Sequence, residues 1–186
     1  MEAIQKDKRY TYADYMTWDD DTRCELIDGV PYMMSAPSTE HQSILGELFR
    51  QLGNFLRGKP CRPFISPIDV RLNIEKGDNT VFQPDILVVC DHSKIDDKSI
   101  NGAPDFIIEI LSPSTASYDC IVKLNKYMEA GVREYWVVDP ENKAVQVFLL
   151  KDGVRVADIA YDADDETAPV SILDGCTINL KDVFAK

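Results

Sequence analysis

Basic residues are scarce in this sequence: its 186 residues carry 20 Lys and Arg against 32 Asp and Glu, a formal net charge of −12. A protein that relies on unspecific attraction to phosphate usually has the opposite excess, so the balance argues against a dedicated nucleic-acid binder. It leaves room for a locally basic groove, or for a divalent cation bridging acid to phosphate. Long apolar runs are missing too, and no stretch approaches the roughly 20 residues needed to cross a bilayer. The opening, MEAIQKDKRYTYADYM, lacks the apolar centre of a secretory signal, so the expected location is the cytoplasm. The five cysteines (Cys24, Cys61, Cys90, Cys120 and Cys176) are odd in number, scattered and without a C-x-x-C pair. That pattern argues against a disulfide framework and a structural zinc site, and fits a reducing compartment. No repeat, low-complexity tract or linker divides the chain, so one domain over residues 1–186 is expected.

What is present is an alternation of extended and helical signals. CELIDGVPYMMS reads as two short strands around the Asp28-Gly29 turn. Ser38 or Thr39 can cap a helix whose His41, Leu45, Leu48, Leu52 and Phe55 share one face, with Gly58 and Pro60 closing it. Three extended runs follow, CRPFISPIDVRLNIE, TVFQPDILVVCD and PDFIIEILS, the last two nearly continuous in apolar residues. Such runs suit strands covered on both faces. A second helix is expected over about Ser117 to Ala130, closed by Gly131, and then the strands EYWVVD and KAVQVFLL. The tail beyond Leu150 reads as a polar loop with one or two edge strands. The order implies an α/β (α+β) domain, a mixed sheet flanked by helices.

Two acids interrupt the apolar strands. Glu109 stands inside FIIEIL, and Asp85 follows Pro84 at the mouth of ILVV. An isolated carboxylate in an apolar interior must be paired, protonated or bound to a cation. Either acid alone is commonly an ordinary salt-bridged residue, but two on neighbouring strands would repel each other. A hard divalent metal resolves this, since Mg²⁺ accepts one or two protein carboxylates and keeps waters and substrate phosphates. On the second helix Asp119, Lys123 and Tyr127 fall at i, i+4 and i+8, so Lys123 can turn towards the acids. Lys126 lies on another face and serves as the control.

At this point ELIDG, EHQ, QPDILVV, PDFIIEILSPST, the D…K…Y spacing and GVREYWVVDP together resemble the Uma-two family of restriction-endonuclease-like proteins, within the PD-(D/E)XK nuclease superfamily. The resemblance spans about Tyr10 to Leu150. It implies a restriction-endonuclease-like mixed sheet with an N-terminal β-hairpin extension, and a metal held on acids. Asp85 matches the PD element and Glu109 the following acid. Leu111 occupies the place where the simple pattern has lysine, and Lys123 matches a lysine displaced onto the next helix. Glu25 resembles an auxiliary acid, His41 belongs to the EHQ motif, and Gln83 is placed to orient the site. His92 reads as a loop residue without a role.

The implied chemistry is metal-dependent phosphodiester hydrolysis, in DNA first. Asp85, Glu109 and the main-chain carbonyl of Ile110 would hold Mg²⁺, with Mn²⁺ as a substitute, and Lys123 would stabilise developing charge. Ser112 and Ser114 either cap the helix or meet a substrate phosphate. Restriction-type relatives further imply a homodimer or higher homo-oligomer and no membrane partner. Two other readings stay open: a non-catalytic oligomeric binding module on the same scaffold, and a hydrolase of small phosphate esters.

Overall fold

The turn at Asp28-Gly29 closes a hairpin between β1 (Cys24–Ile27) and β2 (Val30–Met33). Both turn residues have left-handed backbone, φ 49° and 79°, as a two-residue hairpin of this hand requires. A Cβ on Gly29 would also meet the Tyr10 backbone nitrogen and oxygen at 3.0 Å. The computed structural model describes residues 8–18, 23–112, 119–162 and 164–185, with side chains in the third stretch from residue 121.

The first long helix, α2 (Thr39–Leu56), follows the one-turn α1 (Tyr12–Tyr15). Ser38 caps α2 by accepting the His41 N–H. Its buried face is His41, Ile44, Leu45, Leu48, Leu52 and Leu56, close to the expected stripe; Phe55 is only partly buried. Two of the extended runs are each broken into strands of different sheets. CRPFISPIDVRLNIE gives β3 (Arg62–Ile65) and β4 (Asp69–Arg71), and TVFQPDILVVCD gives β5 (Val81–Phe82) and β6 (Ile86–Val89). The second break falls at Gln83-Pro84-Asp85, where proline can donate nothing to a ladder. The chain then forms β7 (Ser99–Asn101) and β8 (Phe106–Ile110).

A π-helical turn, Asp119–Lys123, leads into α3 (Leu124–Ala130), which ends at Gly131 with φ 98°. The expected α-helix from Ser117 is therefore π-helical over its first described turn, and its opening residues lie outside the described ones. Beyond it come β9 (Glu134–Asp139), β10 (Ala144–Lys151) and β11 (Val154–Tyr161). The large sheet has the order β11-β10-β9-β8-β6-β3, and a second sheet runs β2-β1-β5-β4-β7. In the large sheet β8 and β9 are parallel, joined through α3, while the remaining pairs are antiparallel. The sheet is thus mixed, as expected. The N-terminal hairpin is part of the second sheet rather than an appendage.

Alternation along the strands divides the core. Phe106, Ile108 and Ile110 of β8 join Ile86, Val88 and the apolar face of α2 on one side. Ile107 joins Leu87, Val89, Leu124 and Tyr127 on the other, and Glu109, two residues on, shares that side. The tail completes the first side: β12 (Thr167–Pro169), β13 (Thr177–Asn179) and α4 (Leu180–Val183) contribute Ala168, Ile178, Leu180 and Val183.

One expectation needs correction. The cysteines do include a disulfide, Cys61–Cys90. Arg62 pairs with Val89 across β3 and β6, so the next residues outward stand face to face, a juxtaposition that spacing along the chain conceals. The argument from cysteine pattern to a reducing compartment falls with it.

Candidate active site

The break between β5 and β6 builds the centre of the site. Asp85 sits where the chain passes from the small sheet to the large one. Its backbone carbonyl accepts the Ser66 N–H at 3.0 Å. The β6–β8 ladder ends at Ile86 opposite Ile108, so the next amide on β8, that of Ile110, needs another acceptor. It donates to the Asp85 carboxylate at 2.8 Å. The same oxygen, Oδ2, lies 3.1 Å from His41 Nε2, which the Ser38 cap fixes in the first turn of α2. The structure thus puts the Ile110 amide against the Asp85 carboxylate.

Glu109 is 4% exposed, and it is not alone. Lys123 Nζ donates to its Oε1 at 2.9 Å, and the Tyr127 hydroxyl donates to the same atom at 2.8 Å. Lys123, the last residue of the π-helical turn, and Tyr127 of α3 are one helical turn apart, so this helical segment presents both to one carboxylate. Lys123, also 4% exposed, reaches Glu25 Oε1 at 3.0 Å. Two buried carboxylates therefore share one ammonium, an arrangement that compensates charges too costly to bury singly. Burial and the neighbouring Glu109 and Glu25 carboxylates push the Tyr127 hydroxyl well above its ordinary pKa, so it remains a donor.

Glu25 is tied back to the corner by accepting the Gln83 N–H at 2.9 Å. The Gln83 side chain donates to Asp69 at 2.9 Å and to the Tyr15 hydroxyl at 3.0 Å. Tyr12 and Tyr15 hydroxyls both donate to Asp69 at 3.2 Å. Burial, then Asp69, raises both phenols, Tyr12 to about 12.

A cleft of about 1310 Å³ opens onto this cluster, and Glu25, His41, Gln83, Asp85, Glu109, Ile110, Ser112 and Lys123 all line it. The sequence reading thus converges on one place, save for Ser114, which lies outside the described residues. His92 stands apart on an exposed turn, its Nε2 against the Pro60 carbonyl at 2.6 Å. Lys126 faces away and pairs with Asp28 at 2.8 Å. Tyr127 and Asp69 were not singled out for the site, although the i, i+4 relation of Tyr127 to Lys123 was a signal for the first. Among the described residues no three His, Cys, Asp or Glu side chains converge as a ready metal cage. A cation here would draw on Asp85 and Glu109, with remaining positions for water or substrate.

Against known proteins, a family model described as "Putative restriction endonuclease" matches residues 12–181. A Synechocystis sp. protein described as "Uncharacterized protein slr1290" is 27% identical over 162 residues, 86% of this chain and 84% of its own length. In fold, the chain is similar to a crystal structure described as "a putative nuclease belonging to DUF820 from Anabaena variabilis". The TM-score is 0.76 at 22% identity, covering 95% of this chain and 98% of the other. The fold is restriction-endonuclease-like, and the family match takes in both sheets, the acids and the lysine: the chain belongs to the Uma2 family.

Proposed function

We propose that this protein is a divalent-metal-dependent endonuclease that hydrolyses phosphodiester bonds in DNA. The observation that carries the reading is the meeting, in one cleft, of Asp85 and Glu109 from neighbouring strands with Lys123 from the next helix. Asp85, Glu109 and the Ile110 carbonyl are the groups assigned to hold Mg²⁺ or Mn²⁺. A set of two carboxylates suits an oxygen-seeking ion that keeps its waters, and fits poorly with zinc. Such an ion, when bound, supplies a more acidic water and neutralises charge on the phosphate.

The remaining roles belong to the chain. His41 and the Ile110 amide fix the Asp85 carboxylate in one orientation. Lys123 places a positive charge beside Glu109, where negative charge grows on the phosphate in the transition state. Tyr127 and Glu25 hold that lysine and that acid in register. Gln83 joins Glu25 to the Asp85 corner.

The test is nicking of a supercoiled plasmid with Mg²⁺ or Mn²⁺, beside EDTA and Glu109→Gln controls. Metal-dependent nicking that the variant loses by at least about a hundredfold is expected, the scale of a lost transition-state contact. Wild-type protein that is folded yet inert with either metal would refute the nuclease reading.

One observation favours a second reading. Glu109 is already paired with Lys123, so this acid has a cationic partner without any metal, as a non-catalytic binding module would require. In that case Mg²⁺ or Mn²⁺ will leave the melting temperature unchanged. A site that binds metal will melt higher with the ion, and Glu109→Gln will abolish the rise. The small-ester reading is disfavoured by size, since the cleft exceeds the roughly 300–1,000 Å³ of small-ligand pockets.

A further inference from the structure

Between Glu47 and Asp69 the chain carries no acid, although acids outnumber bases 32 to 20 over its whole length. That acid-free stretch is the second half of α2, the turn after it and β3. Its run RGKPCR places Arg57, Lys59 and Arg62 close together, and all three are exposed. Several other surface cations have carboxylate partners: Arg50 pairs with Glu47, Lys126 with Asp28, Arg133 with Asp105 and Lys181 with Glu166. Among the described residues, no carboxylate stands within ion-pair distance of Arg57, Lys59 or Arg62. Asp91, which follows Cys90, is turned to its own cap and accepts the Ser93 N–H at 3.0 Å and the Ser93 hydroxyl at 2.7 Å.

The loop that carries these cations is fastened at several points. The Lys59 N–H donates to the Leu56 carbonyl at 2.9 Å, and its ammonium lies 3.0 Å from the centre of the Phe55 ring. His92 Nε2 meets the Pro60 carbonyl at 2.6 Å, and Cys61 is bonded to Cys90. Cations on a fastened loop lose less freedom on binding than cations on a free one. The negative end of the α2 dipole accounts for Arg57 and Lys59 at its C-terminus. It does not account for Arg62, which opens β3.

The position of β3 is the second observation. It is the edge strand of the large sheet and runs from this loop to the site. Four residues after Arg62, the Ser66 N–H donates to the Asp85 carbonyl at 3.0 Å. Four residues of strand span about 13 Å, the rise of about four base pairs at 3.4 Å each. Arg62 pairs with Val89, so it shares the sheet face of Phe64, Leu87 and Glu109. The cleft itself does not draw a polyanion, since Glu25, Glu40, Asp85, Glu109, Asp139 and Glu141 outnumber Arg23 and Lys123 in its lining. Beyond a bound metal, attraction for a phosphate backbone has to come from beside the cleft.

We infer that the loop of Arg57, Lys59 and Arg62 anchors the phosphate backbone of the DNA, about four base steps from the scissile phosphate. The inference rests on the nuclease reading for its substrate and adds the surface that holds it outside the cleft. It is a binding statement and can be tested without turnover.

The experiment measures fluorescence anisotropy of a 5′-labelled DNA duplex, long enough to reach from cleft to loop, with the full-length protein. Ca²⁺ stands in for the metal, since it takes oxygen ligands of the same kind. Combining Arg57→Gln, Lys59→Gln and Arg62→Gln is expected to weaken binding at least about tenfold at low salt. The slope of log affinity against log salt should become shallower by about 2 to 3, at about 0.9 for each lost phosphate contact. Combining Lys76→Gln, Lys98→Gln and Lys151→Gln removes the same charge from exposed positions elsewhere, and should change affinity less than about twofold. Equal melting temperatures of the three proteins would show that all are folded.

Equal losses in the two triple variants would make the effect one of net charge and overturn the inference. So would an unchanged affinity or salt slope in the loop variant, or a wild-type protein that binds no DNA. Poly-glutamate that competes as well as unlabelled duplex would overturn it too, and assign the loop to an acidic protein. If the wild type nicks plasmid with metal and the loop variant binds and nicks equally well, the nuclease reading stands and the anchor fails. If binding depends on the loop while no metal supports cleavage, the nuclease chemistry fails and the anchor stands.

Discussion

Two glutamates lie buried on adjacent strands of the large sheet, and they are solvated in opposite ways. Glu109, near the end of β8, is met by the Lys123 ammonium from the π-helical turn and the Tyr127 phenol from α3, and opens onto the cleft. Glu134, at the start of β9 and fully buried, accepts the Trp136 indole N–H at 2.6 Å and the Ile172 backbone N–H at 2.9 Å. It faces the other side of the sheet, where it fastens the C-terminal segment over the core. Burial alone therefore does not mark an active-site acid. A cationic partner from another element, together with an opening to solvent, separates the first glutamate from the second.

The largest effect expected from breaking this contrast is at Lys123. Lys123→Met leaves Glu25 and Glu109 buried without their shared ammonium, which costs about 3–5 kcal/mol for an ion pair broken from one side. Urea unfolding would show it as a fall in midpoint, and adding Glu109→Gln to the same protein should recover part of the loss. If Lys123→Met unfolds at the wild-type midpoint, the buried triad is not what holds α3 to the sheet. Glu134→Gln is expected to cost less, about 1–3 kcal/mol, because an amide cannot accept from both donors and leaves one buried N–H unsatisfied. Plasmid nicking per folded molecule should be unchanged in Glu134→Gln, since no part of that residue lines the cleft. A loss of nicking without a loss of stability would show that the two glutamates are coupled.

The acids of the cleft were legible for a definite reason. Apolar runs such as FIIEIL and ILVV leave a charged residue nowhere ordinary to go, and the helix that follows β8 returns over the same face. Lys123 and Tyr127 at one-turn spacing then fall to Glu109 by geometry. Glu134 was not legible, because it stands where a strand begins and an acid there looks solvated. Its partner Ile172 lies 38 residues further on, in a tail without a motif. The Cys61–Cys90 pair was hidden in the same way, by a register that only the folded β3–β6 ladder defines. Local patterns found the groups that chemistry makes conspicuous, and missed those whose role is given by a distant partner.

The smallest effect distinguishes the glutamates by pH. Burial pushes the Glu134 carboxyl above its ordinary value of 4.5, although the Ile172, Trp136 and Ser171 N–H groups pull the other way. A carboxyl whose folded pKa is raised binds its proton more tightly in the fold than in the unfolded chain. Its stabilising contribution is fully present below the unfolded value and is lost as pH rises through the folded one. Exposed acids such as Asp14, held down by Thr11, and Glu166, held down by Lys181, have the opposite sign and lose theirs as pH falls. The stability gap between wild type and Glu134→Gln should therefore narrow as pH rises from about 4 towards neutrality, while the exposed acids, common to both proteins, cancel. Urea titrations of the pair across that range measure the gap directly. A gap that widens with pH would mean that the three N–H donors outweigh burial and that Glu134 is an anion in the native core. The two glutamates would then differ only in the charge of their partners, not in their own.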